Sequence, residues 1–162
     1  MKKLLVFLLC ALFVLPMAAC QSGGGNETAA KNPTCEEVLG KIIESVGQDN
    51  LPAMGDFDDD ILSMLYGLTA ADVLDDYRGS LAMINVRADE ILVMKVKDGK
   101  MADVEAAIEQ RKADLDATWS MYLPDVYEVV KDARVVKNGN YILFVVSEHA
   151  DKAVAAIDEM TK

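Results

Sequence analysis

The sequence predicts an α+β fold: N-terminal helices, then a four-stranded, largely antiparallel sheet with helices packed on one face, in the order hairpin, helix, hairpin, helix. Three observations lead there. Apolar residues recur at helical spacing over 35–46, 59–66, 101–120 and 149–160. Shorter apolar runs, 81–86 with 91–96 and 135–136 with 141–146, break that period and read as two hairpins. Each hairpin then precedes a helical stretch, and Ile91-Leu92-Val93-Met94 echoes Ile142-Leu143-Phe144-Val145. A chain of 162 residues that is 52% apolar with only 4 prolines has the means to bury one core, so 34–162 is read as a single domain.

The first helix opens on Thr34-Cys35-Glu36-Glu37, a capping box in which hydroxyl and carboxylate stand three residues apart. Val38, Leu39, Ile42, Ile43 and Val46 form its apolar stripe, and Gly47 stops it. Asp58 or Asp59 starts a second helix carrying Ile61, Leu62 and Leu65, halted near Gly67. Thr69 to Asp72 resembles a third start, with Val73, Leu74 and Tyr77 turned inward. Strands are expected at Leu81 to Val86 and Ile91 to Val96. The longest helix follows over about 101–120, its stripe running through Met101, Val104, Ile108, Leu115, Trp119 and Tyr122. Pro124 interrupts, and Asp125 to Lys131 can form a short helix. Asn138-Gly139 sets a two-residue turn, because both central positions of a type I′ turn need positive φ. Tyr141 to Val146 is apolar on both alternating sets, which marks a strand covered on two sides. His149 to Met160 closes the chain as a helix with Ala153, Val154 and Ile157 inward.

The N-terminus reads as an address. Lys2 and Lys3 precede 12 uninterrupted apolar residues, Leu4 to Leu15. As a helix at about 1.5 Å per residue, that run is too short for a ~30 Å hydrocarbon core, and it has the form of a secretory signal. Pro16-Met17-Ala18-Ala19-Cys20 offers no ordinary A-x-A cleavage site, and it resembles a bacterial lipobox, with Met17 in place of the usual branched residue. The resemblance implies a signal peptide over 1–19 and a diacylglycerol thioether on Cys20. Residues 20–33 are then the lipidated cysteine and a flexible spacer containing Ser22-Gly23-Gly24-Gly25. Cys10 leaves with the signal, so only Cys35 remains as a thiol and no disulfide framework is expected.

Charge narrows the partners. Against 27 Asp plus Glu stand 16 Lys plus Arg, a net charge of −11. Loss of Lys2 and Lys3 makes the mature chain more negative still. Such a surface does not suit a nucleic-acid backbone, and anionic lipid repels it, so the expected membrane partner is reached through the lipid alone.

The segments Asn85-Val86-Arg87-Ala88-Asp89-Glu90, Val96-Lys97-Asp98-Gly99, Trp119-Ser120-Met121-Tyr122-Leu123-Pro124 and Asn138-Gly139-Asn140-Tyr141 carry a further resemblance. Together they are similar to an uncharacterised family of Firmicutes lipoproteins, domain of unknown function four-three-five-eight, over roughly 60–157. The resemblance implies a lipid-anchored protein on the outer face of the cytoplasmic membrane. It brings no activity and no functional residues.

Candidate sites are few. Asp56, Asp58 and Asp60 open like a calcium loop, but Ile61 stands where that loop needs glycine and Gly67 where it needs glutamate. An acidic helix start accounts for the same residues. Trp119, Tyr122 and Tyr127 cluster beside Pro124, where aromatics line a ligand groove or fill a helix–sheet corner. His149 is the only histidine, and it sits between acidic neighbours. Asp89 and Glu90 are adjacent, and neighbours along a strand point to opposite faces. Cys35 stands beside Glu36 and Glu37, which oppose a thiolate. No nucleophile elbow, P-loop, dinucleotide fingerprint or C-x-x-C is present. The sequence therefore gives no catalytic residue, no metal site and no cofactor. The expected function is a non-enzymatic binding or interaction module at the bacterial cell surface, with a protein or small-molecule partner. A small solute-binding lipoprotein of a transporter and a cell-wall enzyme are the alternatives.

Overall fold

The computed structural model describes residues 31–162. The expected signal peptide, the lipidation site Cys20 and all of the spacer before Lys31 lie outside the described residues.

The chain begins with α1 (Cys35–Val46), whose capping box is formed as the sequence requires: Thr34 and Glu37 bond reciprocally, and Gly47 ends the helix at φ 91°. A turn of 3-10 helix leads to β1 (Met54–Asp56), then α2 (Asp59–Tyr66) and the single turn α3 (Ala70–Val73). The strands β2 (Leu74–Ala82) and β3 (Glu90–Val96) form the first hairpin. Next come α4 (Met101–Trp119), α5 (Pro124–Lys131), the hairpin β4 (Arg134–Asn138) with β5 (Tyr141–Val146), and α6 (Ala150–Thr161). The described residues thus form six helices and one antiparallel sheet in the order β1-β2-β3-β5-β4.

The α+β class and the hairpin–helix repeat stand, with three corrections. The sheet has five strands, because Met54–Asp56 adds an edge strand to β2. With three residues that include Gly55, it carries no readable alternation. Secondly, the helices cover both faces of the sheet. Leu92, Met94, Val96, Ile142, Phe144 and Val146 pack under α2, α4 and α5, whereas Ile91, Val93, Leu143 and Val145 pack under α1 and α6. The reason lies in β3 and β5: a strand that is apolar on both alternating sets needs cover on two sides. Thirdly, β2 starts at Leu74 and ends at Ala82, so most of the run expected as a strand over 81–86 is a turn. Its polar positions hid it. Asp76 is spent on the first turn of α1, where its Oδ2 accepts the Cys35 N–H at 2.7 Å.

The second hairpin also turns one residue later than expected. Asn138 pairs with Tyr141, so Gly139 and Asn140 are the central residues, with Gly139 at φ 60°. Glycine takes that left-handed position without steric cost.

The registers give the domain two poles. Leu74, Val96 and Tyr141 mark one end of the sheet; Ala82, Glu90 and Val146 mark the other, about 20 Å away at ~3.3 Å per residue. Residues 31–33 are fixed at the first end. Lys31 Nζ donates to the Glu159 carbonyl at 2.6 Å, Lys95 Nζ to Asn32 Oδ1 at 2.6 Å, and the Tyr141 hydroxyl to the Pro33 carbonyl at 2.5 Å.

Two glycines test the packing in opposite directions. A Cβ on Gly79, in β2, would meet the Ile91 carbonyl oxygen at 2.8 Å and side-chain atoms of Leu92 and Phe57 at 2.7 and 2.8 Å. Gly79→Ala is expected to cost about 1–3 kcal/mol. A Cβ on Gly40, on the exposed side of α1, meets nothing within 4 Å. Gly40→Ala is expected to stabilise by about 0.5–1 kcal/mol through helix propensity. Urea denaturation of both variants checks the pair of signs.

Candidate functional site

At the pole away from residue 31, the chain leaves β2 through the turn 83–89 and returns as β3. The last turns of α4 lie across the opening. Between them is a cleft of about 440 Å³ whose lining includes Met83, Ile84, Asn85, Arg111, Leu115 and Trp119. Arg87, Asp89 and Glu90 also reach it.

Glu90 is the first residue of β3, and it points to the α4 face like Leu92 and Met94 after it. Its side chain is 1% exposed, so its carboxylate has to be paired within the protein. Arg111 of α4 supplies that pairing. Its Nη2 lies 2.6 Å from Glu90 Oε2, and its Nε lies 3.1 Å from Oε2 and 3.3 Å from Oε1. The Tyr66 hydroxyl, at the end of α2, donates to Oε1. Tyr66 is held in place by Phe57 and by an edge contact with Phe144.

A second pair sits beside the first. Asp89, 2% exposed, accepts from Arg87 Nε at 2.7 Å and from Arg87 Nη2 at 2.9 Å, in fork geometry. The two carboxylates share one corner of the sheet, and each has its own arginine. Burial pulls the Arg111 guanidinium down, but the hydrogen bonds to Glu90 and its charge outweigh it and hold Arg111 above its ordinary value. Hydrogen bonds to Asp89 do the same for Arg87. Burial, and then the Glu90 charge, push the Tyr66 phenol well above the usual tyrosine range. The tyrosine is thus a neutral donor, and both arginines are permanent cations.

The aromatic candidates separate. Trp119 is buried in the cleft wall, and the Tyr122 ring lies tilted against it at 5.8 Å between ring centroids while staying exposed. Tyr127 leaves the group. Its hydroxyl donates to Asp116 Oδ1 at 2.6 Å, and Lys131 Nζ lies over its ring at 5.1 Å. The acidic run is dispersed as well. Asp56 ends β1, Asp58 caps α2 by accepting the Ile61 N–H at 2.8 Å, and Asp59 accepts the Tyr77 hydroxyl at 2.6 Å. Asp60 stands in the first turn of α2. Among the described residues, no three His, Cys, Asp or Glu side chains are grouped to hold a metal ion. His149 precedes α6 and makes no side-chain cap. Cys35, the first residue of α1, is fully buried, and desolvation followed by the charge of Asp76 pushes its thiol up to about 12.

Arg111 and Glu90 are the residues that sequence reasoning missed as a pair. The signal was there: Arg111 falls on the inward stripe of α4, seven residues after Val104 and four before Leu115. An arginine on an apolar stripe calls for a buried carboxylate opposite it.

Residues 48–147 match the family model described as Domain of unknown function (DUF4358). The chain belongs to this family. The match starts and stops earlier than the resemblance read from sequence segments, and it spans all five strands and every residue of the cleft. The helices α1 and α6, which cover the opposite face, fall outside it. No curated protein and no solved structure matches the chain.

Two outcomes check the site's electrostatics. Arg111→Met strands the Glu90 carboxylate without its cation and is expected to destabilise by about 3–5 kcal/mol in urea titration at neutral pH. A loss under about 1 kcal/mol would show that the pair is not buried as described. Cys35 titrates near 9.0 when unfolded and at about 12 when folded. Between those values the unfolded state has lost a proton that the folded state keeps, so this group's contribution to stability is full below pH 9 and falls as pH rises towards 12. At mildly alkaline pH iodoacetamide should leave Cys35 unmodified in the folded protein and label it in urea, read by peptide mass.

Proposed function

We propose that this protein is a lipid-anchored, extracytoplasmic binding module of the bacterial cell surface, and that the cleft beside Arg111 is where it binds. The observation that carries this reading is the polarity of the domain. Residue 31 joins at one pole, among Glu159, Lys95 and Tyr141, while the cleft opens at the other. A tether running from Cys20 through the Gly-rich stretch to that first pole leaves the cleft clear of the membrane to which the tether is fixed. The lipid supplies the attachment, since two acyl chains hold a protein firmly and a net charge of −11 gives no electrostatic help at an anionic surface. Among the described residues no helix is long and apolar enough to cross a membrane.

Binding rather than catalysis fits the state of the reactive groups. The carboxylates at the cleft are tied to arginines and almost fully enclosed. The thiol of Cys35 is buried on the opposite face with its ionisation suppressed. His149 stands outside the cleft lining. What reaches the opening is guanidinium N–H, one amide and an apolar rim, which are recognition groups.

Expression of the full chain in a Gram-positive host tests the anchor. The native protein should sediment with membranes, and protease added to intact protoplasts should remove it. Cys20→Ala should appear in the medium or persist as uncut precursor. A Cys20→Ala protein that still partitions as a mature-sized lipidated form, or a native protein that protease cannot reach, would contradict the reading.

A further inference from the structure

We propose that the cleft selects an uncharged, apolar peptide segment, recognised through its carbonyl groups by Arg111 and Arg87 and through its side chains by the Met83–Ile84 rim. This names the ligand class of the binding site put forward above and rests on that reading.

The charge balance of the site excludes the simpler ligands. Arg111 is matched by Glu90 and Arg87 by Asp89, so the charges of the cleft lining cancel before anything binds, and the further carboxylates that act on these arginines, Glu148 and Asp114, lie outside that lining. A cationic group would meet two guanidinium ions, while the carboxylate oxygens of the lining are enclosed and occupied by Arg111, Arg87 and Tyr66, which leaves it only the uncharged Asn85 amide as an acceptor. An anionic group would find donors, but it would leave the corner with one uncompensated negative charge beside an apolar wall, on a chain of net charge −11. A neutral acceptor avoids both costs.

The donors for such an acceptor are present. Among the described residues Arg111 uses Nε and Nη2 on Glu90, and Arg87 uses Nε and Nη2 on Asp89; neither Nη1 has a hydrogen-bond partner. Asn85 adds a side-chain amide to the lining, with a donor and an acceptor like the peptide group itself. Around these polar points lies an exposed apolar rim: Met83 is 68% exposed and Ile84 43%, and Trp119 and Leu115 complete the lining. Methionine adapts its shape to varied apolar partners, which suits a rim that reads apolar character rather than one side chain.

The chain's only tryptophan, Trp119, lies in the cleft wall and serves as the reporter. The full chain in phosphatidylcholine vesicles is titrated with three forms of one tripeptide, Leu-Ala-Leu. One is acetylated and amidated, one is acetylated with a free carboxylate, and one is amidated with a free amine. The blocked, neutral form should change Trp119 emission saturably, with the two charged forms at least fivefold weaker. Met83→Ser with Ile84→Ser should weaken the neutral form about tenfold while leaving the melting temperature within a degree or two. Tighter binding by either charged form, still lost in the rim variant, overturns the ligand class and leaves the cleft as a binding site. Neutral-form binding that ignores the rim variant overturns the assignment to this rim. No response to any of the three overturns the ligand class; if the neutral dye Nile red then also fails to perturb Trp119, the binding reading of the cleft falls with it.

Discussion

Glu90 occupies the first position of the central strand, and folding removes its carboxylate from water. A buried, unpaired carboxylate costs several kcal/mol, so the fold needs a cation and a donor at that point. Arg111 comes from the second half of α4 and Tyr66 from the end of α2. Their convergence on Glu90 fixes where both helices cross the end of the sheet. It also holds the wall against which Trp119 packs, and with it the shape of the cleft. Asp89 and Arg87 repeat the solution in the adjoining turn, so the segment between β2 and β3 is pinned at its foot while Met83 and Ile84 stay outside.

The other constraint is the sheet itself. Because β3 and β5 bury every residue but one of their alternating sets, two layers of helices are required. The layers have different characters. The α1–α6 face is built mainly from small and branched residues, with Ala150, Ala153 and Ala156 of α6 among them and Tyr141 at its end. Cys35 is sealed within it, and residues 31–33 are tied to its end. The face under α2, α4 and α5 holds Phe57, Tyr66, Trp119 and Phe144, the arginine and the cleft. The family match covers the second face and leaves out the helices of the first. The part of the chain shared with the family is thus the part that carries the candidate site.

Much of this was legible from residues. The capping box of Thr34 and Glu37, the Asp58 start of α2, the stripe of α4 from Met101 to Trp119 and the two-sided character of Tyr141 to Val146 each rest on local chemistry, and each is found in place; Tyr122, expected at the end of that stripe, lies beyond the helix and is exposed. What escaped has a common physical origin, since tertiary contacts decide it. Asp76 and Arg78 break the alternation of β2 because they answer to α1, through the Cys35 N–H and the Glu36 carboxylate. The apolar run at 83–86 has the composition of a strand, yet it forms a turn in which Met83, Ile84 and Val86 stay exposed among the described residues. Adjacency made Asp89 and Glu90 look unrelated. Asp89 precedes the strand, so the rule of opposite faces does not separate the two carboxylates, and both reach one corner. The pairing of Glu90 with Arg111 spans 21 residues, and sequence gives only its hint, an arginine on an inward stripe.

Glu90 and Arg111 act as one unit, and a double-mutant cycle measures how far each depends on the other. Glu90→Gln keeps an acceptor for Tyr66 and removes the charge; Arg111→Met keeps the bulk and removes the cation. Urea denaturation at neutral pH is measured for the two single variants and the double. Coupling of about 2 kcal/mol or more is expected, with the double variant more stable than Arg111→Met alone, because the neutral glutamine side chain no longer needs a cation. Losses that simply add, to within about 0.5 kcal/mol, would show that the two residues do not depend on each other and would contradict the account.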